Sequence, residues 1–154
     1  MPTIRPAHPE DLPAIQALWE AFMLLLHQTH AGYYPVKLTE PAFQQQLLQQ
    51  IMLPETCLLV AEEKEEIQGY LLAYITPMPP WFELEKIGLI RYLNISEHHR
   101  GKGLGQMLFD ESMRWFREQQ IERVELYVLQ GLSASQFWEK QGFTPLMERR
   151  YLEV

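Results

Sequence analysis

Leu93-Asn94-Ile95-Ser96-Glu97-His98-His99-Arg100-Gly101-Lys102-Gly103-Leu104-Gly105-Gln106 is the stretch that decides the fold: an apolar run ends, glycines follow at alternate positions, and a helix-forming segment begins. Glycines at 101, 103 and 105 let the backbone reach positive φ and come close to a ligand. Amides at the start of the following helix then point outward together, and this nest, with the helix dipole behind it, suits a phosphate. Arg100 and Lys102 add positive charge at the same turn. Two other phosphate motifs fail on the same residues. A P-loop needs Ser or Thr after Gly-Lys, where Gly103 stands, and a dinucleotide fingerprint needs a further glycine where Gln106 stands. A glycine-rich helix entry with no ligand is the competing reading of the hexapeptide taken alone.

Outward from the turn, the segment from Phe82 to Ile95 reads as a long strand with Gly88 as a bulge or kink, and Leu104 to Glu118 reads as a helix. Further on come a strand Val124 to Leu129, a helix Ser133 to Gln141, and a last strand from Phe143. Toward the N-terminus, Cys57–Glu62 and Ile67–Thr76 are β-prone runs joined by the charged tip Glu63-Lys64-Glu65-Glu66, an antiparallel hairpin. Before them, Thr3-Ile4-Arg5 is a short strand. Pro9-Glu10-Asp11-Leu12 opens a helix whose apolar face runs through Leu12, Ile15, Leu18, Trp19, Phe22 and Leu26, and a second helix runs from Pro41 to Leu53. The order is β-α-α-β-β-β-α-β-α-β, an α/β arrangement with a mixed sheet. In such sheets anions bind beyond the carboxyl end of a strand, where the next helix starts.

A chain of 154 residues, 47% of them hydrophobic, is the size of one domain with its own core, so residues 1–154 read as a single domain. Its one cysteine, Cys57, lies in an apolar run, which rules out a disulfide framework and fits a reducing compartment. The N-terminus, Met1-Pro2-Thr3-Ile4-Arg5, carries no secretory signal, so a soluble cytoplasmic protein is expected, without membrane attachment. A net charge of −7 argues against wrapping nucleic acid and gives an overall field that favours cationic partners.

At the glycine turn the chain resembles the GNAT superfamily of acyl-CoA-dependent N-acyltransferases, whose signature is Arg or Gln, two residues, Gly, one residue, Gly or Ala. Arg100, Gly103 and Gly105 match it. Thr3-Ile4-Arg5-Pro6-Ala7 with Pro9-Glu10-Asp11-Leu12 is similar to the family's opening, and Ala134 with Glu139-Lys140-Gln141-Gly142-Phe143 to its second conserved region. The resemblance implies a mixed, mostly antiparallel central sheet flanked by helices. It also implies an acetyl group moved from acetyl-CoA, as acyl donor cosubstrate, to a primary amine of a small molecule, amino acid or peptide. The backbone of Leu93, Asn94 and Ile95 would pair with the pantetheine arm. Arg100, Gly101, Lys102, Gly103, Leu104, Gly105 and Gln106 would hold the pyrophosphate.

The usual catalytic positions depart from the family's pattern. Where many relatives carry an acid in the strand before the turn, this chain has Arg91 and Tyr92; Trp138 stands where a thiolate-protonating tyrosine is common, and Gly131 replaces an asparagine. Attack on a thioester needs a neutral amine and a tolerated thiolate. Three explanations stay open. Either substitutes serve as acid and base, with Glu85 or Glu83 for the base and Tyr127, Ser133 or Ser135 for the acid; or positioning alone suffices; or the domain binds acyl-CoA without turning it over. For Tyr127 packing on the sheet is the competing reading, and for Glu85 a solvated strand start. Arg91 would clamp an acceptor carboxylate, or pair with Glu85 or a nearby acid.

The resembled family shapes its acceptor site with the loop between the first two helices, which here offers Tyr33 and Tyr34. The histidine pairs His27/His30 and His98/His99 lack a third ligand with suitable spacing, so no metal is expected. Trp81 and Phe82, after a run of prolines, read as cleft-lining or as a contact with a second subunit of a homodimer.

Overall fold

The alternation of buried side chains builds the sheet. In β2 (Thr56–Glu63), Cys57, Leu59 and Ala61 face one core cluster while Leu58 and Val60 face the other. β3 (Glu66–Pro77) repeats the pattern, with Leu71 and Ala73 on the first side and Tyr70 and Leu72 on the second. Strands apolar on both faces must be covered on both, and helices do so. α1 (Leu12–Thr29) and α2 (Ala42–Gln50) supply Leu12, Ile15 and Leu47 to one side. On the other, α3 (Leu104–Glu118) contributes Leu104, Leu108, Phe109 and Phe116, and α4 (Ala134–Lys140) adds Phe137 and Trp138. Burial in this layer pushes the Cys57 thiol up to about 12, consistent with a core side chain. This is the computed structural model of the protein; it describes residues 1–37 and 41–154.

The sheet runs β1-β2-β3-β4-β5, with β1 at Thr3–Pro6, β4 at Lys86–Ile95 and β5 at Val124–Leu126. The first four strands are antiparallel neighbours, and β5 pairs parallel with β4. The β2–β3 hairpin turns on Lys64 and Glu65, both at positive φ (53° and 62°), as a two-residue turn matching strand twist requires. The N-terminus is fastened by charge: Arg5 donates from Nη1 and Nη2 to the buried Asp11 carboxylate at 2.8 and 3.0 Å and from Nε to Glu62 at 2.8 Å.

Several boundaries differ from the sequence reading, each for a local reason. β4 begins at Lys86 rather than Phe82, because residues 78–85 close a loop in which the Met78 amide donates to the Glu85 carbonyl at 2.8 Å. Gly88 is not a bulge; its missing side chain makes room for the Phe116 ring. The bulge lies at Arg91, since Ala73 opposes Ile90 while Leu72 opposes Tyr92. Ile90 and Leu93 consequently face the same core cluster although they are three apart. β5 stops at Leu126, short of Leu129. The last strand expected from Phe143 does not form. Instead Arg149 donates to the Tyr34 hydroxyl at 3.2 Å and Tyr151 lies against Gly32 and edge-on to His30, so side-chain contacts lead the tail to the end of α1.

Candidate functional site

β4 and β5 part company where the site would be. They share pairs only at Gly88–Val124, Leu89–Glu125 and Ile90–Leu126; from Arg91 to Ile95 no strand among the described residues covers that edge of β4, while the β3 side stays paired through Gly69–Ile95. An uncovered edge offers amides and carbonyls to an extended ligand. Leu93 packs into the core and Asn94 is buried, with its side chain 2.6 Å from the Tyr70 hydroxyl. The Ile95 carbonyl already accepts from Arg100 Nε at 3.1 Å.

The glycine turn lies just beyond this edge. Gly101 and Gly103 sit at φ 76° and 84°, and a side chain added at either would meet nothing within 4 Å, so the space beside the turn is open at both. Gly103 caps α3 without any side-chain bond. Among the described residues the amides of Gly101, Lys102, Gly103, Leu104, Gly105 and Gln106 donate to no backbone or side-chain acceptor; the first paired amide is Met107, to Gly103 at 3.1 Å. Gly105, already helical, packs near Phe137. Gln106 exchanges amide bonds with Gln141 at 3.0 and 2.6 Å, tying the start of α3 to the end of α4.

On the α1–α2 face a cleft of about 410 Å³ opens beside the bulge, walled by Trp19 and Phe43, stacked at 4.3 Å, with Leu72, Tyr74 and Tyr92. Among the described residues Arg91 is the one charged residue of the lining; it lies 4.8 Å over the Tyr92 ring and has no ion-pair partner. The expected pairing with Glu85 is therefore absent. Glu85 is exposed ahead of β4, roughly 20 Å of extended chain from Arg91, and Glu83 is also exposed in that loop. Neither belongs to the cleft. Tyr127 is 70% exposed just past β5 rather than packed on the sheet. It is near enough to act on Tyr74, whose hydroxyl is pushed up first by burial, against the pull of Arg91, with Tyr127 adding to the rise. Trp138 is a packing residue, edge-on to Phe109, Phe137 and Phe143. Ser135 turns its hydroxyl to the Leu132 carbonyl at 3.1 Å.

Tyr33 is partly buried, with its hydroxyl 3.9 Å from Met23 Sδ; burial raises its pKa, with Tyr92 and Arg91 close enough to contribute. Tyr34 is exposed and engaged by Arg149. The histidines serve the loops: His27 Nδ1 lies 2.9 Å from the Tyr33 carbonyl, His30 Nδ1 accepts from the Gly32 amide at 3.0 Å, and His99 pairs with Ser96 at 2.5 Å. Among the described residues no His, Cys, Asp or Glu cluster has the makings of a metal site. Trp81 and Phe82 stand exposed outside the cleft. A larger concavity, about 650 Å³, is lined by Glu10, Asp11, Glu62, Glu65 and Glu66 against the single cation Arg5, a net-negative surround that repels a polyphosphate. Sequence reasoning did not find the cleft, because Trp19, Phe43 and Tyr74 come from three separate elements and carry no shared spacing.

The sheet thus opens between β4 and its last strand, β5, beside an unpaired amide nest, in an α/β fold of the acetyltransferase class. The Acetyltransferase (GNAT) family profile matches residues 19–143, and the chain belongs to that family. Solved structures share the fold. A tetramutant of the BH1408 protein from Bacillus halodurans aligns with TM-score 0.85 at 20% identity over 99% of both chains. A GCN5-related N-acetyltransferase from Ralstonia eutropha gives 0.82 at 21% identity, again over 99% of both. A predicted acetyltransferase from Clostridium acetobutylicum, solved with acetyl-CoA, gives 0.80 at 17% identity over 99% of this chain and 96% of that one. Comparison with curated protein sequences yields no match.

Proposed function

We propose that the protein is an acetyl-CoA-dependent N-acetyltransferase. The observation that carries the reading is the run of unpaired amides from Gly101 to Gln106 continuous with the uncovered β4 edge. Unpaired amides at the start of a 15-residue helix suit a pyrophosphate. Arg100 and Lys102 add charge, and Leu93 and Asn94 offer backbone groups to the pantetheine arm. The structural neighbour holding acetyl-CoA supports that choice of donor. Acetyl-CoA supplies an activated carbonyl carbon.

The remaining chemistry falls to the acceptor side. The amine nitrogen attacks the thioester carbon, the C–N bond forms, the C–S bond breaks, and one amine proton leaves while the sulfur is protonated. Among the described residues no carboxylate lines the cleft to take that proton. Arg91 offers another route to a neutral nucleophile, since a fixed cation beside an ammonium disfavours its charged form. Tyr127 and Tyr74 present hydroxyls near the opening for the thiolate, whose own tolerance of charge leaves them a modest task.

A second reading, acyl-CoA binding without turnover, draws on the same lack of a carboxylate among the described lining residues. Thiol release from acetyl-CoA over a broad amine panel separates the two. Steady turnover that is lost in Gly103→Glu establishes the transferase; saturable acetyl-CoA binding with no amine-dependent release establishes the binding module.

A further inference from the structure

We infer that the acceptor is an α-amino acid with a large apolar or aromatic side chain, its carboxylate held by Arg91 and its side chain set among Trp19, Phe43 and Tyr92. As a statement about the reaction this rests on the transferase reading above; as a statement about what the cleft binds it stands separately. The first ground is charge. Among the described residues Arg91 is the one ionic group in the lining, and no acid there neutralises it. An arginine so placed, on an aromatic face and open to the cleft, favours a carboxylate as its partner. A polyamine or a second ammonium finds no counter-charge among the described lining residues, although the whole chain carries −7. Locally the site has the opposite sign.

Position is the second ground. Arg91 directly follows Ile90, the last β4 residue paired with β5, and so stands at the mouth of the opening where the thioester would lie. The bulge takes this residue out of register and brings it to the cleft. If the acceptor's anionic group meets Arg91 while its nitrogen reaches the opening, amine and carboxylate are separated by very few bonds, as in an α-amino acid. The third ground is the wall. Trp19 and Phe43 stack nearly parallel, and Phe43 and Phe22 both present edges to Tyr92, giving a rigid apolar surface that rewards an aromatic or branched side chain. The Trp19 indole N–H is buried without a partner among the described residues, leaving an unmet donor in that wall.

Products rather than substrates test the cleft most cleanly. Calorimetric titration with N-acetyl-L-phenylalanine should show binding at least about tenfold tighter than with N-acetylphenethylamine, the same molecule without the carboxylate. Arg91→Gln should erase that difference, Arg91→Lys should restore part of it, and acetyl-CoA affinity should be unchanged in both. Equal binding of the two probes, tighter binding of N-acetylspermidine, an undiminished preference in Arg91→Gln, or no binding by a demonstrably folded sample would overturn the proposal. Titration with acetyl-CoA on the same samples keeps the two readings apart. Amino-acid binding through Arg91 without acetyl-CoA binding upholds the cleft and sinks the transferase; the reverse pattern sinks only the cleft.

Discussion

Arg5 shows how a single residue holds the start of this chain. Burial pushes the Asp11 carboxyl up, and Arg5 together with the His8 amide at 2.7 Å more than reverses that, so Asp11 ends below its ordinary value. A depressed folded pKa means the folded state keeps Asp11 ionised more readily than the unfolded chain does. The stability it contributes is complete above the ordinary carboxylate range and is lost as pH falls through the depressed value. Arg5→Met leaves a buried carboxylate without its main partner and should cost about 2–3 kcal/mol at pH 7 in urea unfolding. The gap between wild type and variant should narrow at strongly acid pH, where Asp11 is protonated in both. A gap that does not change with pH would contradict the assignment. Gly103 is a second residue-scale case, because its φ of 84° strains any side chain while its surroundings are empty. Gly103→Glu should cost about 1–2 kcal/mol of stability and leave the fold intact, so its effect on ligand binding reports the site rather than unfolding.

Among the elements, β4 carries the most consequence. It pairs fully with β3, only briefly with β5, and bulges between them at Arg91. Its packing against α3 depends on Gly88, where an added methyl would meet the Phe116 ring. Gly88→Ala should destabilise by about 1–3 kcal/mol through overpacking, and Phe116→Leu in the same chain should recover part of the loss; additive losses would show that the contact does not matter. The elements around the glycine turn were legible in the sequence because their signals are local. Leu104 to Glu118 carries a clear apolar stripe, the hairpin tip is charged, and the glycine spacing needs no tertiary context. What was not legible is long-range. No pattern in Lys86–Ile95 says that Arg91 rather than Gly88 leaves the ladder, since that follows from register with β3. The segment after Phe143 has strand-like composition, and only its contacts with Gly32, His30 and Tyr34 explain why it runs elsewhere.

For the molecule as a whole, charge and site have opposite signs. The chain is acidic, and one groove is lined by Glu10, Asp11, Glu62, Glu65 and Glu66, while the glycine turn and the aromatic cleft present Arg100, Lys102 and Arg91. On the proposed reading an anionic cosubstrate and an acceptor carboxylate would be drawn to separate places on one opened sheet edge, the first beyond β4 and the second at its bulge. The thioester would bridge them. This division of labour puts the nest at the centre of the account, because without an anchored donor the cleft has nothing to react with. Calorimetric titration of the purified protein with acetyl-CoA, wild type beside Gly103→Glu, tests that claim most directly. Saturable binding by the wild type that is lost in a folded Gly103→Glu variant is the result predicted. Equal affinity in the two proteins, or no binding by folded wild type, would contradict it.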